Sequence, residues 1–157
     1  MLLRLIAAGT RLPDWVNEGF EDYAGRLTQE YRLELKEIPL GQRSGAASAQ
    51  QAIAKEGERM TAALPSKAFI VALQVKGKSL TSEQLAEFLQ ARARDGRDVA
   101  FLIGGPDGIA PDLDAKADLR WSLSALTLPH ALARIVVAEA LYRAVTIAKG
   151  HPYHRGG

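Results

Sequence analysis

The feature that most restricts the fold is a short apolar run that passes directly into glycines. Residues Val99–Ile103 carry no polar side chain, which is typical of a strand buried on both faces of a parallel sheet. The next residues, 104–108 (Gly-Gly-Pro-Asp-Gly), cannot extend a ladder, because Pro106 has no N–H and glycine readily takes positive φ. Ligands bind beyond the carboxyl ends of strands in open α/β sheets. We therefore predict a binding loop at 104–108, with an ordinary turn as the alternative.

A second segment repeats this pattern. Residues 119–123 look like a strand and pass into a stretch of small and hydroxyl residues, before Pro129 opens a long helix. Two strand ends followed by such loops predict one shared pocket, and the alternative is again two ordinary turns.

Hydrophobic periodicity predicts strands that alternate with helices along the whole chain. The predicted strands are 2–8, 31–39, 67–73, 99–103 and 119–123, and the predicted helices are about 13–28, 46–64, 81–94 and 129–149, with one helical turn at 111–117. This alternation predicts an α/β fold with a mostly parallel sheet and flanking helices.

One sequence resembles a phosphate loop but does not satisfy its spacing. Residues 77–79 read Gly-Lys-Ser, yet the position that requires the first glycine of that motif is Ala72, inside a predicted strand. Thr81 and Gln84 instead predict a capping box at the start of the next helix.

Composition excludes several classes of protein. The chain has 157 residues, which is enough for one domain with a substantial core. It has no cysteine, so disulfides, thiolate metal sites and cysteine nucleophiles are excluded. No stretch approaches the length of a membrane span, and residues 1–8 are too short for a signal peptide. We expect a cytoplasmic protein that uses neither a metal nor a membrane.

Charge is distributed unevenly. From residue 119 onward Glu139 is the only acidic side chain, against a basic set of Arg120, Arg134, Arg143, Lys149 and Arg155, and the three histidines His130, His151 and His154 lie there too. A basic segment in a nearly neutral chain indicates an anionic partner such as nucleic acid, and the alternative is a solvated helix face. The predicted helix 129–149 is also apolar around most of its girth. This favours a second copy of the chain as its cover, and hence a homodimer.

Five blocks of this sequence together resemble the bacterial large-subunit ribosomal RNA methyltransferase H family, which belongs to the SPOUT superfamily. The resemblance extends over essentially the whole chain and is most specific toward the carboxyl terminus. The blocks are Leu-Pro-Asp-Trp-Val at 12–16, Phe-Leu-Ile-Gly-Gly-Pro-Asp-Gly at 101–108, Trp-Ser-Leu-Ser-Ala-Leu-Thr-Leu-Pro-His at 121–130, Glu-Ala-Leu-Tyr-Arg at 139–143 and His-Pro-Tyr-His-Arg at 151–155.

The resemblance implies a homodimer with a trefoil knot near its carboxyl terminus that holds S-adenosylmethionine. It implies methylation of the N3 nitrogen of a pseudouridine in 23S rRNA of the large ribosomal subunit. By matching position, the cofactor site comprises Leu73, Gly104, Gly105, Ser124, Ala125, Leu126, Thr127, Leu128 and Pro129. The predicted RNA-binding residues are Arg143, Tyr153, His154 and Arg155. In the tail, the Tyr153 ring can stack on a base and the Arg155 guanidinium can bind phosphate.

Methylation of an imide nitrogen requires that the nitrogen lose its proton, so a base or a stabilising cation would help. His130 lies at a helix N-terminus, where the helix dipole disfavours the imidazolium form, and is one catalytic candidate. His154 and Arg155 are the others, reaching in from either subunit. A purely structural role for His130 is equally open.

Two other classes of protein remain open from the sequence. One is a phosphate- or nucleotide-binding α/β protein without methyl transfer, and the other is an RNA-binding module that uses only its basic tail. Calorimetric titration with S-adenosylmethionine separates the three, because only the methyltransferase should bind it specifically.

Overall fold

Strands and helices alternate strictly from the first strand to the last helix. The structure, a computed structural model, describes residues 1–27, 30–43, 45 and 48–156. The elements are β1 (Leu2–Ala8), α1 (Asp14–Ala24), β2 (Arg32–Ile38), α2 (Ser48–Ala62), β3 (Phe69–Ser79), α3 (Ser82–Arg94), β4 (Val99–Ile103), α4 (Pro111–Ala115), β5 (Leu119–Ser122) and α5 (His130–Ala148), followed by a short 3₁₀ helix (Pro152–Gly156).

All the strand pairs of the sheet are parallel, and the spatial order is β2-β1-β4-β3-β5. Every residue of β4 is buried, as its unbroken apolar run predicts. The predicted α/β fold with a mostly parallel sheet is confirmed. The order brings the carboxyl ends of β1, β4 and β3 together at the middle of one sheet edge.

Helices cover both faces of the sheet. One core cluster joins the sheet to α1, α3 and α5 and includes Phe20, Leu89 and Leu141, all buried. The other joins the opposite face to α2 and α4 and includes Met60 and Leu113. Successive strand residues divide between the two clusters, as the two-residue period of a strand requires.

The apolar girth of α5 is largely used inside the chain. The helix packs against the sheet, α1 and α3, which buries Val137, Leu141 and Val145, while Leu132 keeps 42% of its surface exposed. Burial on three sides removes the need for a second copy as the cover of this helix. The homodimer therefore stays a prediction that the width of the helix does not support by itself.

The largest departure from the predicted boundaries is the length of β3. It runs six residues past the predicted end at Leu73, through a bulge, and pairs with β5 again at Lys78 and Ser79. Within this extension a Cβ on Gly77 would lie 2.8 Å from the backbone of Arg120, so glycine lets the two strands approach. Residues 77–79 therefore form strand, and their exclusion as a phosphate loop is confirmed.

Most helix boundaries agree with the sequence within a few residues. The predicted capping box is confirmed, because Thr81 N donates to Gln84 Oε1 (2.9 Å) and Gln84 N donates to Thr81 Oγ1 (3.0 Å). Helix α1 ends at Ala24, before the predicted end near Thr28, and Thr28 lies outside the described residues. The predicted start of the second helix, Ala46, also lies outside them.

Candidate functional site

A cavity of about 620 Å³ opens at the carboxyl edge of the sheet. The loops at 104–109 and 122–128, predicted to share a pocket, both line it, together with the end of β1 and the bulged middle of β3. The other lining residues include Ala8, Gly9, Thr10, Leu12, Leu40, Leu73, Gln74, Val75, Ile103, His130 and Ala133. Its place at the strand ends agrees with the general rule for ligand sites in such sheets.

The loop after β4 is a tight turn closed by its own backbone. Gly108 N donates to the Gly105 carbonyl at 3.0 Å, and Gly108 has a φ of 86°, which favours glycine. A Cβ on Gly104 would lie 2.5 Å from the backbone of Gly108. These two glycines are therefore needed by the turn itself, whatever binds beside it.

Gly105 is confined by side chains from a neighbouring helix and loop. A Cβ at Gly105 would lie 3.0 Å from both Glu56 Oε1 and Leu40 Cδ2. The Glu56 carboxylate is buried and accepts hydrogen bonds from Gly41 N (2.8 Å) and Arg43 Nη1 (2.7 Å). The tightness at Gly105, one of the predicted cofactor residues, thus has a source inside the chain.

The loop after β5 is held by serine hydroxyls. Ser122 Oγ donates to the Ser124 carbonyl (3.0 Å), and Leu126 N donates to Ser124 Oγ (2.9 Å). Leu126 is left 74% exposed on the wall of the cavity. Of the predicted cofactor residues in this loop, Ala125 and Pro129 are described but do not line the cavity. Ser124 therefore fixes the loop shape that presents Leu126.

A partly buried His130 and a fully buried Arg134 form a hydrogen-bonded group at the first turn of α5. Arg134 Nε donates to His130 Nε2 at 2.9 Å, and His130 Nδ1 lies 3.3 Å from the Gly104 carbonyl oxygen. Arg134 also donates to Glu37 Oε2 (2.7 Å) and to the Gly9 carbonyl (2.8 Å). Both ring nitrogens of His130 are thus engaged within the chain.

The surroundings of His130 favour its neutral form. Burial lowers the pKa of His130, and the positive charge of Arg134 lowers it further. The contacts to Gly104 and Glu37 act in the opposite direction but do not reverse the shift. The sequence-based expectation of a neutral imidazole therefore agrees with its surroundings, with burial and Arg134 as the causes.

The carboxyl-terminal tail packs against its own α5, away from the cavity. Tyr153 Oη donates to Glu139 Oε2 at 2.9 Å, and its ring meets the ring of Tyr142 edge-on at 4.6 Å. The Arg143 guanidinium lies 5.0 Å from the centre of the Tyr153 ring. At about 1.5 Å of rise per residue, these α5 positions lie about 13 to 20 Å along the helix from His130. The structure does not bring the predicted tail residues to the cavity of the same chain.

Much of the basic charge predicted to meet an anionic partner is paired within the chain. Arg120 pairs with Asp114, Arg134 with Glu37, Arg143 with Glu139 and Lys149 with Glu30. Arg155, in the tail, is exposed. The basic segment is therefore less available to an anion than its composition suggests.

Sequence reasoning missed the buried ion pairs beside the cavity. Arg134 was assigned to the basic segment, and Glu56 was assigned no role. Both lie on buried helix stripes: Glu56 is four residues from Ala52 and from Met60, and Arg134 is three residues from Val137 and four from Ala138. A charged residue on an apolar stripe is the signal that would have found them.

Across the described ranges no helix is long and apolar enough to cross a membrane. The same ranges hold no group of three or more His, Cys, Asp or Glu side chains that could bind a metal ion.

Comparison with known proteins decides the family. The model of the family described as predicted SPOUT methyltransferase matches residues 1–154. The chain belongs to the SPOUT methyltransferase family. The methyltransferase is 52% identical over 155 residues to proteins named ribosomal RNA large subunit methyltransferase H from Paraburkholderia phymatum and Paraburkholderia xenovorans, with 99% of each chain covered in both cases. The resemblance stated from the sequence is thereby confirmed.

Solved structures support the fold of the methyltransferase. A probable methylase family protein from Haemophilus influenzae matches with a TM-score of 0.56 at 14% identity, covering 96% of this chain and 69% of that one. A structure concerned with 2-OH methylation of C/U34 on tRNA matches with a TM-score of 0.52 at 20% identity, covering 92% and 97%. At these identities the likeness concerns the fold alone.

Proposed function

We propose that this methyltransferase transfers a methyl group from S-adenosylmethionine to the N3 nitrogen of a pseudouridine in 23S rRNA, in the cytoplasm. The observation that carries the proposal is the 52% identity over 99% of both chains to proteins named ribosomal RNA large subunit methyltransferase H. The cavity at the carboxyl edge of the sheet supports the proposal, because both loops of the predicted cofactor site line it. The trefoil knot that the resemblance implies is part of the same proposal.

The cavity fits S-adenosylmethionine in size and chemistry. Its volume of about 620 Å³ falls within the range usual for cofactor sites. Leu73 and Leu126 both line it and offer apolar surface to an adenine ring, while the backbone of 104–105 and 124–128 offers polar groups to its edge. Ala125 and Pro129, which do not line the cavity, would act by shaping the loop.

The chemical task left to the chain is alignment and removal of a proton. S-adenosylmethionine would supply a methyl group that is already activated. The loops would align it with the acceptor and exclude water. His154 and Arg155 are the proposed groups for the acceptor imide and for RNA, together with Arg143 and Tyr153. Because they lie far along α5 from the cavity of their own chain, we propose that a partner subunit supplies them in a homodimer.

A change in the cavity wall tests the cofactor site. Leu126→Arg should weaken S-adenosylmethionine binding by at least about tenfold, because a bulky cation would occupy apolar ligand surface and repel the sulfonium. The fold should tolerate it, since Leu126 is 74% exposed. Ala62→Arg, an exposed position at the end of α2, adds the same charge away from the cavity and is the matched control. Calorimetric titration measures both, and equal affinity in the two variants would remove this loop from the site.

The modified nucleotide is tested in cells. Mass spectrometry of 23S rRNA should find an N3-methylated pseudouridine in cells with the protein and none in cells from which the gene is deleted. Restoration by wild type but not by Leu126→Arg would tie the product to the cavity. Identical rRNA in the two strains would contradict the proposed substrate.

A further inference from the structure

We infer that His130 and Arg134 are positioning residues that hold the walls of the cofactor cavity, and that His130 is not the base that deprotonates the acceptor. This deepens the proposed function, on which it rests.

The two partners of His130 fix its tautomer. A guanidinium can only donate, so His130 Nε2, at 2.9 Å from Arg134 Nε, must present its lone pair. A backbone carbonyl can only accept, so His130 Nδ1, at 3.3 Å from Gly104 O, must carry the proton. The ring is then the neutral Nδ1–H tautomer, and its single basic lone pair is already occupied by Arg134.

Protonating Nε2 would replace an attraction by a repulsion. The new N–H would face the Arg134 guanidinium, whose own charge is balanced on the other side by Glu37. Arg134 is fully buried, so it cannot swing into solvent to make room. A base needs a lone pair that faces the substrate proton, and His130 has none in this arrangement.

The same contacts explain what the pair does. Arg134 donates to the Gly9 carbonyl at the end of β1 and to Glu37 near the end of β2, and through His130 it reaches the Gly104 carbonyl at the end of β4. These three strands are neighbours in the sheet. Gly9, Gly104 and His130 all line the cavity. One buried guanidinium therefore sets the spacing of the strand ends against the first turn of α5.

The tautomer is tested by ¹⁵N NMR of the histidine rings in the full-length protein without cofactor or RNA. Assignment of the His130 signal by its loss in His130→Gln should show a protonated Nδ1 and an unprotonated Nε2, unchanged as the pH is lowered through the ordinary histidine range. A protonated Nε2, or a normal titration, would overturn the inference. The NMR experiment needs no catalysis, so its result does not depend on the proposed function.

Kinetics separate positioning from base catalysis. His130→Asn keeps an N–H donor near the Nδ1 position, and His130→Gln keeps an acceptor near Nε2. With large ribosomal subunits from cells lacking the protein as substrate, both variants should raise the KM for S-adenosylmethionine by about 10- to 100-fold while kcat falls less than about tenfold. Their kcat should keep the acidic limb of the wild-type pH profile.

Loss of a base would instead lower kcat by about 10²- to 10⁴-fold in both variants and abolish that limb, which would overturn the inference. Arg134→Lys, which keeps the charge but loses the fork, should also raise KM more than kcat falls. A change at a fully buried arginine can prevent folding. The His130 variants and the wild-type NMR spectrum therefore decide between positioning and base catalysis. Failure of the wild type to methylate this substrate would contradict the proposed function and leave the NMR result as the test of the inference.

Discussion

At the scale of single residues, Tyr153 is a reporter of how the tail is held. Burial raises the pKa of its phenol to about 12, and the hydrogen bond to the Glu139 carboxylate contributes further. A raised folded pKa means that this contribution to stability is complete below about pH 10, the unfolded value, and is lost as the pH rises toward 12. Tyr153 should therefore ionise at a higher pH than an ordinary tyrosine phenol.

Spectrophotometric titration of tyrosinate measures this directly. The difference between wild type and Tyr153→Phe should isolate a phenol that titrates near pH 12. Glu139→Gln should bring that titration closer to the ordinary value, because it removes the carboxylate but keeps the ring contact with Tyr142. Ionisation of Tyr153 near pH 10 in the wild type would show that the tail is not packed on α5.

Residue roles were predictable from sequence where a local pattern carries them. The glycine-rich loop after β4 and the hydroxyl-rich loop after β5 follow directly from short motifs, and both line the cavity. Arg134 was not predictable in the same way, because its partners Gly9 and Glu37 lie 125 and 97 residues away along the chain. Single-sequence patterns contain no information on such pairings.

At the scale of elements, the tail packs against α5 through Tyr153 and carries an exposed Arg155, so packing and chemistry can be tested separately. Deletion of residues 151–157 should cost about 1–3 kcal/mol of stability, since it removes the Tyr142–Tyr153 ring pair and the bond to Glu139. Arg155→Ala, at an exposed position, should change stability by less than about 0.5 kcal/mol. Both should lower rRNA methylation by orders of magnitude.

Thermal unfolding and methyl transfer, measured on the same preparations, separate the two effects. Tyr153→Ala provides the intermediate case, with lost packing and an intact Arg155. If Arg155→Ala methylates rRNA at the wild-type rate, the tail contributes packing alone.

Element boundaries were predicted best where a local sequence motif marks the start or end of the element. The capping box of α3 is an example, because Thr81 and Gln84 complete it within four residues. The extension of β3 was missed, because Lys76 and Lys78 interrupt its apolar pattern and β5 supplies the missing pairing. In this segment, pairing with β5, which lies more than forty residues later in the sequence, outweighs the low strand propensity of the lysines.

At the scale of the whole molecule, the distance between tail and cavity makes a prediction about subunits. At limiting S-adenosylmethionine, Leu126→Arg and Arg155→Ala should each be nearly inactive alone. A mixture of the two chains should then recover about a quarter of the wild-type activity if the tail acts on the partner's cavity. Half of the dimers would then be mixed, and one of their two sites would combine an intact cavity with an intact tail.

Co-expression of the two variants with different affinity tags gives the mixed dimer for assay. Each variant co-expressed with itself is the control. No recovery in purified mixed dimers would show that the tail serves the cavity of its own subunit. A monomer at micromolar concentration in sedimentation would rule out the dimer altogether.

The buried guanidinium of Arg134 also imposes an order on folding. The carbonyl of Gly9 and the carboxylate of Glu37 belong to the first quarter of the chain, yet their partner arrives with the last helix. Closing such long loops is slow, because their entropy must be lost before the contact forms. The strand ends that frame the cavity can therefore lock only after α5 has docked. During synthesis the cavity can therefore be completed only after α5 has left the ribosome.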